Sequence, residues 1–250
     1  MLLCAPRVMA FFRIGVYNTK SEAFFVSVVQ RAIQERKKEG DTGKDILGSL
    51  IHLHETNPDM TTEVLNKSVA QFVFDGYSTT ADSMIGLLAV IATRPEIQEK
   101  LREEIDAVFD RKEDGDIDLT ADDVVGMDYL DSVILEFGRL FAIGMTTRLT
   151  TKTYKIPESE LTLPVGAVVM IPMSSFQQDS EFWENPDEFI PERVNAENKG
   201  KIKTGTYQPF GQGPRQCLGY IYARFEMKLM IIYLLRFFDI ETVSYTHLTL

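Results

Sequence analysis

The sequence predicts a mainly helical fold with a small β-sheet in its second half. Three observations support this. Apolar residues recur at helical spacing in successive segments up to residue 142. Between Thr146 and Met173 the pattern changes to short β-like runs. A last helical segment, at about 219–238, follows a stretch punctuated by Pro and Gly. Strands do not alternate with helices, so a parallel βαβ sheet is not expected. The 250 residues suit one or two domains, and 44% hydrophobic with 25% charged residues is ordinary globular composition. Lys and Arg number 26 against 37 Asp and Glu, and the resulting net charge of −11 argues against general nucleic-acid binding. Cys4 and Cys217 are the two cysteines. They make no disulfide framework and suit a reducing, cytosol-facing environment.

Each element can be justified in turn. "MLLCAPRVMAFF" is apolar but is broken by Pro6 and Arg7. It falls short of the roughly 20 residues a spanning helix needs. Residues 1–20 therefore read as a leader, either buried or touching a membrane surface. Residues 21–39 are an amphipathic helix, "GDTGKD" breaks it, and 45–56 are a short helix. Residues 61–92 carry few charges and read as a helix buried nearly all round. Thr93 and Glu96 have capping-box spacing before a helix that runs to Phe109, with Ile97, Leu101, Ile105 and Val108 on one face. "DRKEDGDID" is a solvated loop. Residues 121–142 are helical, with Leu130, Ile134, Phe137 and Phe141 aligned. "RLTTKTYKI" and "AVVMIPM" are strand-like and joined by a "PVG" turn, and "DSEFWENPDEFIPERV" is loop.

The chemistry centres on "PFGQGPRQCLG", residues 209–219. It begins like a dinucleotide-binding G-x-G-x-x-G, but the third glycine position is Gln216 and no strand precedes it. Cys217 stands near a helix start with Arg215 close by, and both features favour a thiolate. Gly213 and Gly219 allow tight turns around the sulfur. A thiolate can attack a substrate or bind a metal. Attack wants a histidine base, and of the three histidines none lies within the 160 residues before Cys217. His52 and His54 face different ways on a helix and make an unlikely zinc site. A single thiolate ligand suits haem iron, and a neighbouring arginine suits a haem propionate.

Phe210, Gly213, Arg215, Cys217 and Gly219 match the F-x-x-G-x-R-x-C-x-G haem-binding loop of the cytochrome P-450 superfamily, and on them the chain is identified as a member. Glu136 and Arg139 resemble the family's E-x-x-R, and Arg193 in "FIPERV" stands where an arginine completes a triad with that pair. Gly138, between them, is a mid-helix glycine that costs about 1 kcal/mol relative to alanine and reads as tolerated variation. "FDGYSTTAD" is similar to the oxygen-binding segment, with Gly76, Thr79 and Thr80 matching. Thr79 would then donate toward bound oxygen and hold water for proton delivery. The segment departs from the pattern at Ser78, where an acid is usual, and at Asp75, where a small residue is usual. Asp75 lies one turn before Thr79 on the same face, so it is expected to take over part of the relay. Arg148 matches a propionate-binding position. Near Gln177 the family often has a histidine for that purpose, so its work falls to Arg148 and Arg215.

The resemblance covers about residues 20–242 and implies the C-terminal part of the cytochrome P-450 fold. The expected protein is a fragment of a microsomal haem-thiolate monooxygenase without its membrane anchor, early helices and W-x-x-x-R segment. "SYTHLTL" resembles nothing in the family and reads as a non-native tail over 243–250. The parent is expected on the cytosolic face of the endoplasmic reticulum membrane. It would insert one atom of dioxygen into an apolar organic substrate, with haem ligated by Cys217 and NADPH acting through a reductase. The alternatives are a haem-thiolate isomerase or dehydratase, and an inactive fragment that does not retain haem. Lys199, Lys201, Lys203, Arg215, Arg224, Lys228 and Arg236, against Glu226 alone, read as a basic patch for an acidic flavoprotein reductase or ferredoxin.

Overall fold

The structure, a computed structural model, describes residues 19–40, 43–112, 117–142 and 144–243. The leader reading over 1–20 falls almost wholly outside the described residues, as does the tail reading over 243–250. The chain divides into two compact units, Met1–Thr79 and Thr80–Leu250.

In the first unit, α1 spans Thr19–Glu39 and α2 spans Ile46–Thr56. Asp45 caps α2 by accepting from the Gly48 amide at 2.8 Å, and it pairs with Arg36 of α1. His54 bonds the Met60 carbonyl through its ring nitrogen. Val29, Ile51, Met60 and Leu65 are buried.

Helix α3, Thr62–Ala92, runs through the boundary between the units. It is not buried nearly all round. Met84, Leu87, Val90 and Ile91 are buried, whereas Val73, Phe74, Tyr77 and Ile85 are exposed, Tyr77 at 76%. Apolar residues ring the helix, but the second unit's core takes up only its last turns. Thr93 is not the cap of the next helix either. Its hydroxyl donates back to the Ala89 and Val90 carbonyls, Arg94 is the N-cap, and Pro95 takes the first helical position. Proline suits that position because its missing N–H is one the helix leaves unpaired anyway.

The second unit is built on three helices, α4 (Pro95–Phe109), α6 (Asp128–Leu140) and α8 (Tyr220–Phe237). Ile97, Leu101 and Ile105 of α4 meet Leu130, Val133 and Ile134 of α6 and Ile231, Ile232 and Leu235 of α8 in one core. Each such side chain contributes about 1.5–3 kcal/mol by leaving water. The segment expected as one helix over 121–142 is two. Helix α5 (Ala121–Val125) stops at Gly126, and α6 restarts after Met127. No side chain of α6's own N-cap bonds its free amides. Glu104 of α4 does so instead, accepting from the Tyr129 and Leu130 N–H groups at 2.8 Å each. Phe141 lies just past the end of α6, exposed and stacked on Phe137 at 5.0 Å.

Among the described residues the β part is two antiparallel pairs rather than one sheet. β1 (Met145–Leu149) pairs with β4 (Val168–Pro172), and β2 (Tyr154–Lys155) with β3 (Thr162–Leu163). The "PVG" turn leads from β3 into β4, with Gly166 at φ 84° and the Ala167 N–H on the Pro164 carbonyl. Helix α7 (Met173–Gln177) follows β4 directly. No helix among the described residues is long and apolar enough to cross a membrane.

The capping box of α5 carries a pH prediction. Hydrogen bonds from the Thr120 hydroxyl and amide, and from Lys112, lower the Asp123 carboxyl from 3.8 to about 2. A depressed carboxyl stabilises above its unfolded value, and that contribution is lost as pH falls toward the folded value. Amide protection in α5 should therefore fall between about pH 3.8 and about 2, and Asp123→Asn should remove that pH step in hydrogen exchange.

Candidate functional site

The cysteine loop closes through its own backbone. The Gln208 carbonyl accepts from the Gly211 N–H at 3.0 Å, and the Phe210 carbonyl accepts from the Cys217 N–H at 2.8 Å. Gly211 and Gly213 sit at φ 75° and 74°, where a side chain is strained. Gly219 does not need that freedom. It is the N-cap of α8 at φ −89°. Sequence reasoning assigned turns to Gly213 and Gly219 and missed Gly211. A short 3₁₀ turn over Gly213–Arg215 carries the chain to Cys217, whose thiol is free and exposed. Leu218 beside it is 80% exposed. Phe210 is half-buried against the core, with its ring 6.3 Å from that of Tyr220. The Arg215 guanidinium is exposed and bonds no described residue.

Helix α6 supports this loop. Glu136 and Arg139 are both fully buried and form a bidentate pair, with Nε–Oε2 and Nη2–Oε1 both at 2.9 Å. Arg139 also donates to the Gln177 carbonyl at 2.8 Å and the Glu188 carbonyl at 3.0 Å, and its guanidinium lies 5.1 Å from the Trp183 ring centre. Glu136 Oε1 accepts from the Ile190 N–H at 3.1 Å. Arg193 Nε lies 3.5 Å from the same oxygen, and its Nη2 donates to the Asn185 carbonyl. Burial pushes the Glu136 carboxyl up from its ordinary value, against the downward pull of Arg139. Tyr207 donates to the Leu135 carbonyl at 3.0 Å, and burial raises its phenol as well.

Gly138 is a contact position rather than tolerated variation. A Cβ placed there would stand 2.8 Å from the Cβ of Pro209, the first residue of the cysteine loop. Gln177 is likewise not placed to reach outward. It is fully buried, with its amide bonded between α6 and Gln208. Sequence reasoning noted Gln177 only as a departure from the family's histidine and missed Tyr207, Trp183 and Gln208. Tyr207 bonds the Leu135 carbonyl 72 residues away, the Gln208 N–H takes the Gln177 side chain, and Trp183 Nε1 donates to the Phe176 carbonyl, pairings that no local pattern signals.

The α3 segment lies across the end of the first unit. Thr79 Oγ1 donates to the Asp75 main-chain carbonyl at 2.6 Å, and Ser78 Oγ to the Phe74 carbonyl at 3.1 Å. Asp75 Oδ1 accepts from Gln71 Nε2 at 2.6 Å. Asp75 and Thr79 share a face, and the Thr79 hydroxyl bonds the backbone carbonyl of Asp75 rather than its carboxylate. Gly76 has open space where a Cβ would stand. Arg148, on β1, is exposed and donates to the Thr147 carbonyl.

The basic stretch is not one free patch. Arg224 pairs with Asp131 at 2.6 Å and Arg236 with Asp106 at 2.6 Å. Lys228 is buried, donating to the Val124, Val125 and Met127 carbonyls at 3.0–3.3 Å. Lys199, Lys201, Lys203 and Arg215 remain exposed. A count along the chain cannot see that acids on α4 and α6 neutralise one side of α8.

A family model described as Cytochrome P450 matches residues 1–248. The chain belongs to the cytochrome P450 family. It is 32% identical to Cytochrome P450 9e2 of Blattella germanica, covering 98% of this chain and 49% of that protein. It is 36% identical to Cytochrome P450 3A12 of Canis lupus familiaris, over 97% of this chain and 48% of the relative. Lithocholate 6-beta-hydroxylase of Mesocricetus auratus is 40% identical over 70% of the chain and 34% of its own length. The P450 chain thus spans about half the length, or less, of these curated relatives.

Gly138→Ala tests the seat for Pro209. In an ordinary helix this substitution gains about 1 kcal/mol. Here it should cost about 1–3 kcal/mol in urea unfolding, because two rigid groups must separate. A gain would show that the loop does not press on α6.

Proposed function

We propose that this chain is the haem-binding part of a haem-thiolate monooxygenase. The observation that carries the reading is an exposed thiol on a glycine-shaped loop seated on α6 beside a buried ion pair. The donor set fits haem. Cys217 offers a free sulfur, and nothing stands within 4 Å of a Cβ at Gly213 or Gly219, so a flat group could approach. Arg215 and Arg148 are exposed and suit propionates, which a guanidinium binds in bidentate fashion. Haem bound there would supply dioxygen activation, tuned by the thiolate.

The remaining steps belong to the chain's own groups. The loop keeps the Cys217 N–H bonded to Phe210, which fixes the backbone beside the sulfur. Thr79 can pass a proton only after its hydroxyl turns from the Asp75 carbonyl. Asp75 is the nearby carboxylate on that face, held by Gln71, and takes the relay role that Ser78 cannot. The substrate is an apolar organic molecule, in keeping with the hydroxylation named in the hamster relative. Reducing equivalents come from NADPH through a flavoprotein reductase that docks on the cysteine side, near Lys199, Lys201, Lys203 and Arg215. The parent protein sits at the endoplasmic reticulum membrane.

Reconstitution with haemin, followed by the spectrum of the reduced carbon monoxide complex, tests the cofactor. A thiolate-type Soret band that Cys217→Ser abolishes is expected. No such band in the unmodified chain would mean an inert fragment. Reductase-dependent NADPH consumption would separate a monooxygenase from an isomerase. In a reconstituted, active preparation, Asp75→Ala should lower the yield of product per NADPH by about tenfold, less than the roughly 100-fold or more of a full proton-transfer group because Asp75 carries only part of the relay. Unchanged coupling would remove Asp75 from the relay.

A further inference from the structure

Gln177 ends α7, is fully buried, and spends its whole amide on two segments that matter to the cysteine. Its Nε2 donates to the Gly138 carbonyl at 3.1 Å and the Arg139 carbonyl at 3.0 Å. These lie in the last turn of α6, where carbonyls run out of intrahelical partners. Its Oε1 accepts from the Gln208 N–H at 2.6 Å. Its own carbonyl takes the Arg139 guanidinium at 2.8 Å. From Gln208 onward the bonds continue into the loop, through Gln208 to Gly211 and through Phe210 to Cys217.

We infer that Gln177 is the positioning residue that latches the Cys217 loop to the end of α6. The group required is a primary amide. It presents two donors and an acceptor in one plane, which matches two carbonyls and one N–H. A thioether of the same length leaves all three buried groups unpaired. A carboxylate keeps the acceptor but turns negative charge toward two carbonyls. An imidazole offers one donor and one acceptor and satisfies part of the set. The Pro209 contact at Gly138 seats the loop against α6, and Gln177 fixes its register along the helix. The inference rests on the haem-thiolate reading only for why the sulfur's position matters. The latch itself stands without haem.

The test is hydrogen exchange on the full chain, free of haem, comparing Gln177→Met with Gln98→Met. Gln98 is the control because it also bridges backbone, bonding the Ile240 N–H and carbonyl at 2.8 and 3.0 Å far from the loop in sequence. Gln177→Met should speed exchange at Gln208, Gly211 and Cys217 by about tenfold or more, the equivalent of one lost buried hydrogen bond. The core of α8 should change no more than in the control. Should Gln177→Met not fold, Gln177→His carries the same test, with a rise of about threefold from the partial set of bonds. After haemin loading, the latch variants should shift the reduced carbon monoxide spectrum from the thiolate to the thiol form, and Gln98→Met should not. Loop exchange unchanged, or raised only in step with the whole unit, overturns the inference whatever the spectrum. Faster loop exchange in a chain whose unmodified form gives no thiolate band upholds the latch and refutes the haem reading instead.

Discussion

The buried Glu136–Arg139 pair is the interaction on which the second unit's architecture depends. Withdrawing two charges from water costs several kcal/mol per ion, and attraction between them offsets that only when their other hydrogen-bonding atoms are also satisfied. Here they are shared out with care. Arg139 reaches the Gln177 and Glu188 carbonyls, and Glu136 takes the Ile190 N–H and faces Arg193. The pair therefore gathers α6, the end of α7 and the loop before Arg193 around one point. A buried ion pair is weak evidence of stability by itself. Its value lies in specificity, because any shift of these three segments would strand a charge without a partner.

This constraint explains what could be read from the sequence. Helices, β part, loop and last helix follow from periodicity, which is a local property, and they appear in the expected order. The motif around Cys217 is also local, since glycine, arginine and cysteine stand at fixed spacing in one stretch. Glu136 and Arg139 are three residues apart and share a helix face. Arg193 facing Glu136 was expected only through the resemblance, and the other tertiary pairings were not legible. Gly138 looks like a flaw in a helix until Pro209 is placed against it. Glu104 looks like one more surface acid of α4, yet it caps α6 from outside. Thr93 has the right spacing for a capping box, but Pro95 moves the helix start one residue on, and the hydroxyl bonds backward.

The long helix α3 marks another limit. Its composition says buried, and that is true for Leu87, Val90 and Ile91, which join the core of the second unit. For Val73, Phe74 and Tyr77 it is not. Exposed aromatic residues beside Asp75 and Thr79 show how the same helix serves as core at one end and as open surface at the other. A large exposed apolar face of this sort marks a surface that meets other groups.

The charge on α8 bears on what the cysteine side presents. Read along the chain, the basic residues after Lys199 form a patch. Read in space, they divide by their acceptors. Lys228 meets the Val124 and Val125 carbonyls at the C-terminal end of α5, where partial negative charge gathers, and these together with the Met127 carbonyl replace the water a lysine would otherwise keep. Asp131 also stands 3.4 Å from that ammonium while holding Arg224. These cations lock α8 against α5 and α6, so they fix the helix that begins just beyond Cys217. They are consumed in doing so. The cations left exposed are Lys199, Lys201, Lys203 and Arg215, which lie before Cys217 in the chain, and the field of such exposed charges is screened by salt over about 8–10 Å. Just after Cys217 in the chain, Leu218, Ile221 and Tyr222 are exposed and largely apolar, so contact there would rest on dehydration as much as on charge.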